Sequence, residues 1–597
     1  MSEYFAPIRD MQFVLKELAG LEEVAKLPGC EEATLDLVDA VLEEAAKFAE
    51  GVLSPLNWPG DQEGAHWHDK AVTMPAGFKE AYQLFADSGW TALACEPEWG
   101  GQGLPKVVAA AVAEMWKSAN HSFSLCPLLT AGAIEALVLS GSDELKKIYL
   151  EKMVSGAWTG TMNLTEPSAG SDLAAVRTRA EPQADGSYRI FGQKIFITYG
   201  DHDMAENIIH LVLARTPTAP EGVKGISLFV VPKFMVNENG SLGDRNDAYC
   251  VSIEHKLGIH ASPTAIMAFG DHGGAVGYLV GEENRGIEYM FIMMNAARFG
   301  VGLEGVAVCE RAYQRARDYA RERTQCTDVG VRGGPKVAII KHPDVRRMLM
   351  TMKSRAEATR ALAYVVAAAH DAALRHPDAD ERKRNQAFVD LMIPVVKGWS
   401  TESGVSMASI GVQVHGGMGY VEETGAAQHL RDAQISTIYE GTTGIQANDL
   451  IGRKMAREGG ATLQAVIAMM RALDADLAGQ GGANFAAIRS RFAAAVDALA
   501  AAGEWLVATY AADVRAASAG AVPFLTLLGI VAGGWQMARA ALVAQAKIAG
   551  GDKDPFYAAK IVTSRFYADH VLSQAAGLAS SVTDGAEGVM ALPEEMF

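Results

Sequence analysis

The segment IYEGTTGIQ (438–446) sets one carboxylate, Glu440, directly before Gly441, Thr442, Thr443 and Gly444. A carboxylate on such a turn is presented rather than packed into a helix face. Partial desolvation raises its basicity, which suits removal of a proton from a weak carbon acid. A solvated turn glutamate has the same sequence, so residues 438–446 alone leave both readings open. Arg298 stands in the otherwise apolar run MFIMMNAARFGVGLEGVAV. A buried guanidinium needs a partner, either a structural carboxylate or a ligand-binding role. TMNLTEPSAGSDLAAVRTRA (161–180) gathers Thr, Ser and Gly in one polar loop. Its N–H groups and hydroxyls suit a phosphate or a flavin edge, or make an ordinary turn. FGQKIFITYGD (191–201) puts Phe196, Ile197 and Thr198 on a strand, either as alternating core or as an aromatic wall with a hydroxyl beside it.

Other chemistries are set aside. His66 and His68 of HWH have no third ligand nearby, so no metal site is expected. GGMGY (416–420) is not a GxGxxG fingerprint following a strand. Cys30, Cys95, Cys126, Cys250, Cys309 and Cys326 form no CxxC pair and fit reduced thiols. A formal net charge of -18 over 597 residues argues against nucleic acid as a partner. The N-terminus carries no basic and apolar leader pattern, so a cytoplasmic location is expected. Residues 516–538 contain no charge and have the length of a membrane span. With Pro523, Thr526 and several glycines among them, a buried helix of an all-α domain is the expected reading rather than a span.

These segments need a scaffold with more than one core. The chain reads as mainly α with a central β domain. Residues 1–156 form an N-terminal helical domain, and 157–285 hold short β-branched and aromatic runs bounded by Gly, Asp, Asn or Pro. No long helix separates those runs, so the β domain is expected to be antiparallel. Residues 286–457 return to helical periodicity and carry Glu440. AREGGA (456–461) links them to an added alanine-rich helical domain, 462–597.

In order, TEPSAGSD, QKIFIT, the Arg of the long helix, ERTQ, VQVHGGMGY and YEGT resemble the acyl-CoA dehydrogenase family over about residues 40–455. The added α unit resembles the family's longer branch. Within it, YFAPIRDMQFVL and YEGTTGIQANDLIGRK are most similar to members acting on 3-methylmercaptopropionyl-CoA; others oxidise straight-chain medium and long acyl-CoA.

The resemblance implies the family fold: an α domain, a β-barrel-like domain and a four-helix α domain, followed here by the extra helices. It also implies FAD, bound between the β domain and the following helices. Met162, Leu164 and Thr165 would lie along the isoalloxazine, with Phe196 and Thr198 flanking it. Gly170 and Ser171 would contact the cofactor or the CoA phosphates. Arg323 and Gln325 resemble residues reaching the FAD of a neighbouring subunit, and Gln413, Gly416 and Gly417 the other half of that site. Thr442 would approach FAD. Asn295, Arg298, Ser171 and Gly441 match substrate positions, with Arg298 orienting the carboxylate. Phe196 stands where Trp is frequent, Asn295 where Asp is frequent, Cys326 where an aromatic is common and Gly444 where Gln is common.

The implied reaction is α,β-dehydrogenation of an acyl-CoA thioester to a trans-2-enoyl-CoA, with Glu440 as general base and electrons passed to an electron-transfer flavoprotein. A homodimer is the expected assembly. An acyl-CoA oxidase and a non-catalytic acyl-CoA-binding relative are the competing classes.

Overall fold

A computed structural model describes residues 4–597. They divide into two compact units, each built from separated stretches. One comprises Phe48–Leu104 and Ala119–Ala297; the other comprises the N-terminal stretch ending at Lys47, Pro105–Ser118 and Arg298–Phe597.

The first unit is built on a sheet. Its strands are the hairpin β1 (His66–His68) and β2 (Ala71–Thr73), then β3 (Trp158–Asn163), β4 (Arg179–Pro182), β5 (Tyr188–Thr198), β6 (Asn207–Ala214) and β7 (Ser227–Pro232), a second hairpin of β8 (Phe234–Val236) and β9 (Leu242–Arg245), and β10 (Ala248–Ile253), β11 (Thr264–Phe269) and β12 (Ala275–Val280). The main sheet runs β10-β11-β5-β12-β7-β6-β3, with β4 on β5. β6 (NIIHLVLA) and β7 (SLFVVP) are buried along their whole length, as expected of strands covered on both faces. The helices His121–Ser140 and Asp143–Val154 pack Ala133, Leu137, Leu150 and Met153 with Ile209, Leu211 and Val230. Ile190, Val212, Phe229, Met267 and Phe269 fill a second core.

The main sheet is antiparallel as expected in every pair but one, and one segment read as helical is not. β3 and β6 pair in parallel, Trp158 opposite Asn207 through Asn163 opposite Val212. A parallel pair needs a long crossover, and residues 164–206 supply it with strands β4 and β5 instead of a helix. Residues 66–73, within a stretch read as helical, form a hairpin. Trp67 Nε1 donates to Cys250 O at 2.9 Å, so a contact distant in sequence recruits this segment.

The second unit is helical. Gly286–Glu322 enters it at Arg298 and is followed by Pro343–Arg375 and Ala379–His415. Gly302 and Gly305 let the first and third of these approach closely. A Cβ on Gly302 would fall 2.6 Å from Val396 Cγ1, and one on Gly305 would fall 2.2 Å from the Ser400 backbone. This crossing brings Glu304 against the turn of helix that carries Lys397.

The added segment forms Ala461–Ala478, Ala483–Ala512, Ala521–Ala549 and Pro555–His570. Among the described residues four helices are long and apolar enough to cross a membrane; in Ala521–Ala549 the most apolar window is 83% buried inside the fold. That helix lays Gly529 and Gly533 against Trp399. Lys560 bonds Asp10 and Glu357, while Arg360 pairs with Asp10, Glu114 and Glu310, tying the added helices to the rest of their unit.

Candidate active site

Glu440 adopts φ +55 and Gly441 φ +86. The left-handed region is uncommon for a residue with a Cβ and persists only where its surroundings hold it. Here two buried side chains do so. Gln446 Nε2 donates to Glu440 O at 3.0 Å and to Gly441 O at 3.2 Å. Lys397 Nζ donates to Gly441 O at 2.7 Å. Thr442 then caps the helix Thr443–Asn448, accepting from Ile445 N through its hydroxyl. Glycine is strongly favoured at 441: besides its φ, an added Cβ would lie 2.9 Å from Gln446 Nε2 and 3.1 Å from Ile445 Cγ2.

The Glu440 carboxylate keeps a little contact with solvent but is hemmed in by protein. Burial pushes its pKa up to about 7, against the pull of Arg298 and Lys397 and with a further push from Glu304. A carboxyl tuned to that value is a competent base near neutrality. Arg298 lies 3.4 Å from Asp449 Oδ2 with both side chains buried, so it has both a structural partner and an effect on Glu440. Glu304 accepts a short hydrogen bond from Tyr439 and faces Lys117 at 3.7 Å. Glu402 accepts from Thr443 Oγ1 at 2.5 Å. Asn295 sits one turn before Arg298 on the same helix, half-buried.

In the sheet unit the 161–180 loop and β5 are stitched together. Ile195 N donates to Thr165 O at 2.9 Å and Lys194 Nζ to Leu164 O at 3.0 Å. Leu164 and Thr165 are thereby neighbours of the stretch 194–198, and Met162 precedes them, on β3 opposite Leu211. The β5–β11 register shifts between Lys194 and Ile197, and Phe196 takes φ +59. This bulge leaves the Phe196 ring 59% exposed, so Phe196 does not alternate into the core as a regular strand residue would. Thr198 stays half-buried beside it, and Gly170 and Ser171 are exposed on the loop. An outward-facing aromatic, threonine hydroxyls and a loop without bulky side chains fit a flat ring with polar edges and a phosphate-bearing tail.

Arg323 and Gln325 are exposed at the hairpin β13 (Thr324–Thr327) and β14 (Lys336–Ala338) that follows the long helix. Gln413, Gly416 and Gly417 are exposed at the end of Ala379–His415. The Tyr319 ring stacks on His415, centroids 4.3 Å apart, so both stretches reach the same end of the helical unit.

Lys397, Glu304, Tyr439, Gln446, Glu166 and Lys194 are absent from the sequence-derived site. Lys397 in MIPVVKGWS carries the signal that singled out Arg298, a lone cation in an apolar run. Glu304, Tyr439, Glu166 and Lys194 have no local signature, because their partners are distant in sequence; Gln446 is near Glu440 in the chain, but its bonds exist only once the turn is folded. Among the described residues no cluster of three His, Cys, Asp or Glu could hold a metal.

Four family models match in chain order: the acyl-CoA dehydrogenase N-terminal domain over 38–157, its middle domain over 161–271, its C-terminal domain over 284–455, and an acetyl-CoA dehydrogenase C-terminal-like domain over 461–593. The 3-methylmercaptopropionyl-CoA dehydrogenase of Ruegeria pomeroyi is 50% identical over 98% of this chain and 99% of its own length. The broad-specificity linear acyl-CoA dehydrogenase FadE5 of Mycobacterium tuberculosis is 36% identical over the full length of both. An acyl-CoA dehydrogenase of Bacillus anthracis, solved in complex with FAD, shares the fold with a TM-score of 0.74 at 20% identity, over 98% of this chain and 93% of its own.

Proposed function

The chain belongs to the acyl-CoA dehydrogenase family, and from that premise we propose that it oxidises 3-methylmercaptopropionyl-CoA to methylthioacryloyl-CoA with Glu440 as the base. It is an FAD-dependent oxidoreductase of acyl-CoA thioesters. The observation that carries the residue assignment is the Glu440 turn: a desolvated carboxylate in a left-handed turn held by two buried donors. The substrate reading rests on 50% identity to a relative of that name over nearly the whole of both chains.

Glu440 takes the proton from the carbon next to the thioester. That proton is weakly acidic, so negative charge developing on the thioester oxygen must be met by a fixed donor. The Glu440 backbone N–H is that donor, and pinning the Glu440 and Gly441 carbonyls holds the two peptide planes that follow it, and so the left-handed turn on which it sits. Arg298 limits how far burial raises the base. FAD, when bound, supplies the acceptor for the hydride from the neighbouring carbon. Met162, Leu164, Thr165, Phe196 and Thr198 would hold its ring system, Gly170 and Ser171 the phosphates of FAD or CoA, and Thr442 would also contact FAD. Arg323 and Gln325, with Gln413, Gly416 and Gly417, would complete that site for a second copy of the chain, which makes the working form a homodimer. Asn295 and Gly441 would line the acyl-CoA. An electron-transfer flavoprotein would take the electrons, in a cytoplasmic setting.

A substrate panel with an artificial electron acceptor tests the reading. 3-Methylmercaptopropionyl-CoA should show the highest kcat/KM, ahead of butyryl-, octanoyl- and palmitoyl-CoA. A preference for octanoyl- or palmitoyl-CoA moves the assignment to fatty acyl-CoA oxidation. Stoichiometric peroxide release moves it to an oxidase.

A further inference from the structure

We propose that Lys397 is a positioning residue for the Glu440 base, clamping the Glu440–Gly441 turn through Gly441 O and opposing the charge of Glu304. This rests on the reading of Glu440 as the base.

Lys397 is fully buried and donates to a neutral backbone carbonyl at 2.7 Å rather than to a carboxylate. A buried ammonium is costly unless neighbouring charges offset it. Glu304, Glu440 and Glu402 offset it here, while Arg298 opposes it, and burial brings its pKa down to about 8. The geometry around it is rigid. Gly302 and Gly305 hold its helix close to Gly286–Glu322, and Trp399 seats against Gly529 and Gly533 from the other side. The ammonium is therefore aimed at the turn by packing that has no other evident use for a charge.

The charged and titratable groups around the turn come from every element packed on it. Arg298 and Glu304 come from Gly286–Glu322, and Lys397 and Glu402 from Ala379–His415. Lys117 comes from Lys106–Ala119, and Tyr439 and Asp449 flank the turn itself. Two of these oppose each other at Glu440: Lys397 favours its carboxylate and Glu304 disfavours it. Removing the cation should raise the base's pKa, and removing the anion should lower it. A side chain that merely supports folding would not give shifts of opposite sign.

The test is the pH profile of kcat/KM for flavin-loaded protein, comparing the parent with Lys397→Met, Lys397→Arg and Glu304→Gln, and with Glu440→Gln as control. Lys397→Met should lower kcat about tenfold or more, with a smaller change in KM. Its acid limb should move to higher pH by about one unit. Lys397→Arg should restore the limb towards the parent. Glu304→Gln should move it to lower pH. An unmoved limb in either Lys397→Met or Glu304→Gln, or shifts of the same sign, overturns the proposal; if Lys397→Met fails to load flavin, Glu304→Gln and Lys397→Arg decide it. Near-parental turnover by Glu440→Gln would instead overturn the base assignment, whatever Lys397 does.

Discussion

Lys194 Nζ lies 2.8 Å from Glu166 Oε1, with both side chains buried. This ion pair joins the loop motif TEPSAGSD to the strand motif QKIFIT. Glu166 also accepts from Arg177 N, Thr178 N and Thr178 Oγ1 at 2.7, 3.0 and 2.6 Å. The 161–180 loop is thus shaped by a buried ion pair and its hydrogen bonds.

Lys194→Met should therefore act on loop and fold together. Breaking a buried pair from one side costs about 3–5 kcal/mol. A lowered urea midpoint and loss of flavin absorbance after gel filtration are the expected outcomes. Full flavin retention with an unchanged midpoint would show that the pair does not shape the site.

The raised pKa of Glu440 predicts a pH profile. The base works deprotonated, so kcat/KM should rise with pH and level off above about 7. Stability runs the other way. A carboxyl whose folded pKa exceeds its unfolded value stabilises the fold fully below the unfolded value, and that stability is lost as pH rises through the folded one. Glu440→Gln, besides losing about 10³-fold in rate, should unfold at higher denaturant than the parent above pH 7. That advantage should vanish near pH 4–5. Equal midpoints at pH 8 would show that the base is not held at a cost.

Gly441→Ala meets both a left-handed φ and Gln446. We expect a folded protein, destabilised by about 1–2 kcal/mol, with kcat down at least about tenfold because the backbone donor tilts. Steady-state kinetics with a circular-dichroism melt would check this; unchanged kcat would mean that the turn need not be fixed.

Lys560→Met leaves Asp10 and Glu357 with one fewer buried cation. We expect a loss of about 3–5 kcal/mol and earlier proteolytic release of the C-terminal helices. A parental melting curve and digestion pattern would show that apolar packing alone seats them.

Arg323 and Gln325 face solvent in a single chain. If they serve the flavin of a second copy, Arg323→Ala should weaken flavin retention on dialysis without moving the melting temperature of the flavin-free protein. Full flavin occupancy after dialysis would remove Arg323 from that site.

The sequence by itself determined the family and the order of α and β segments, and it singled out Glu440 as a candidate. Those signals are local or ordered along the chain: periodicity, turn residues at 440–444, and motifs in series. The antiparallel expectation for the β domain holds in every pair of the main sheet but β3 and β6, where strand direction depends on how residues 164–206 cross over, which no short window records. The sequence left Phe196 as either an alternating core residue or part of an aromatic wall, and only the bulge against β11 turns it outward. Glu440 could have been a solvated glutamate on a flexible turn. Tertiary structure decided otherwise, because Lys397 and Gln446 hold its backbone and burial raises its basicity. Gln446 is a near neighbour in the chain, but Lys397, Arg298 and Glu304 are far from Glu440 in sequence and are brought to it where glycines let two helices touch.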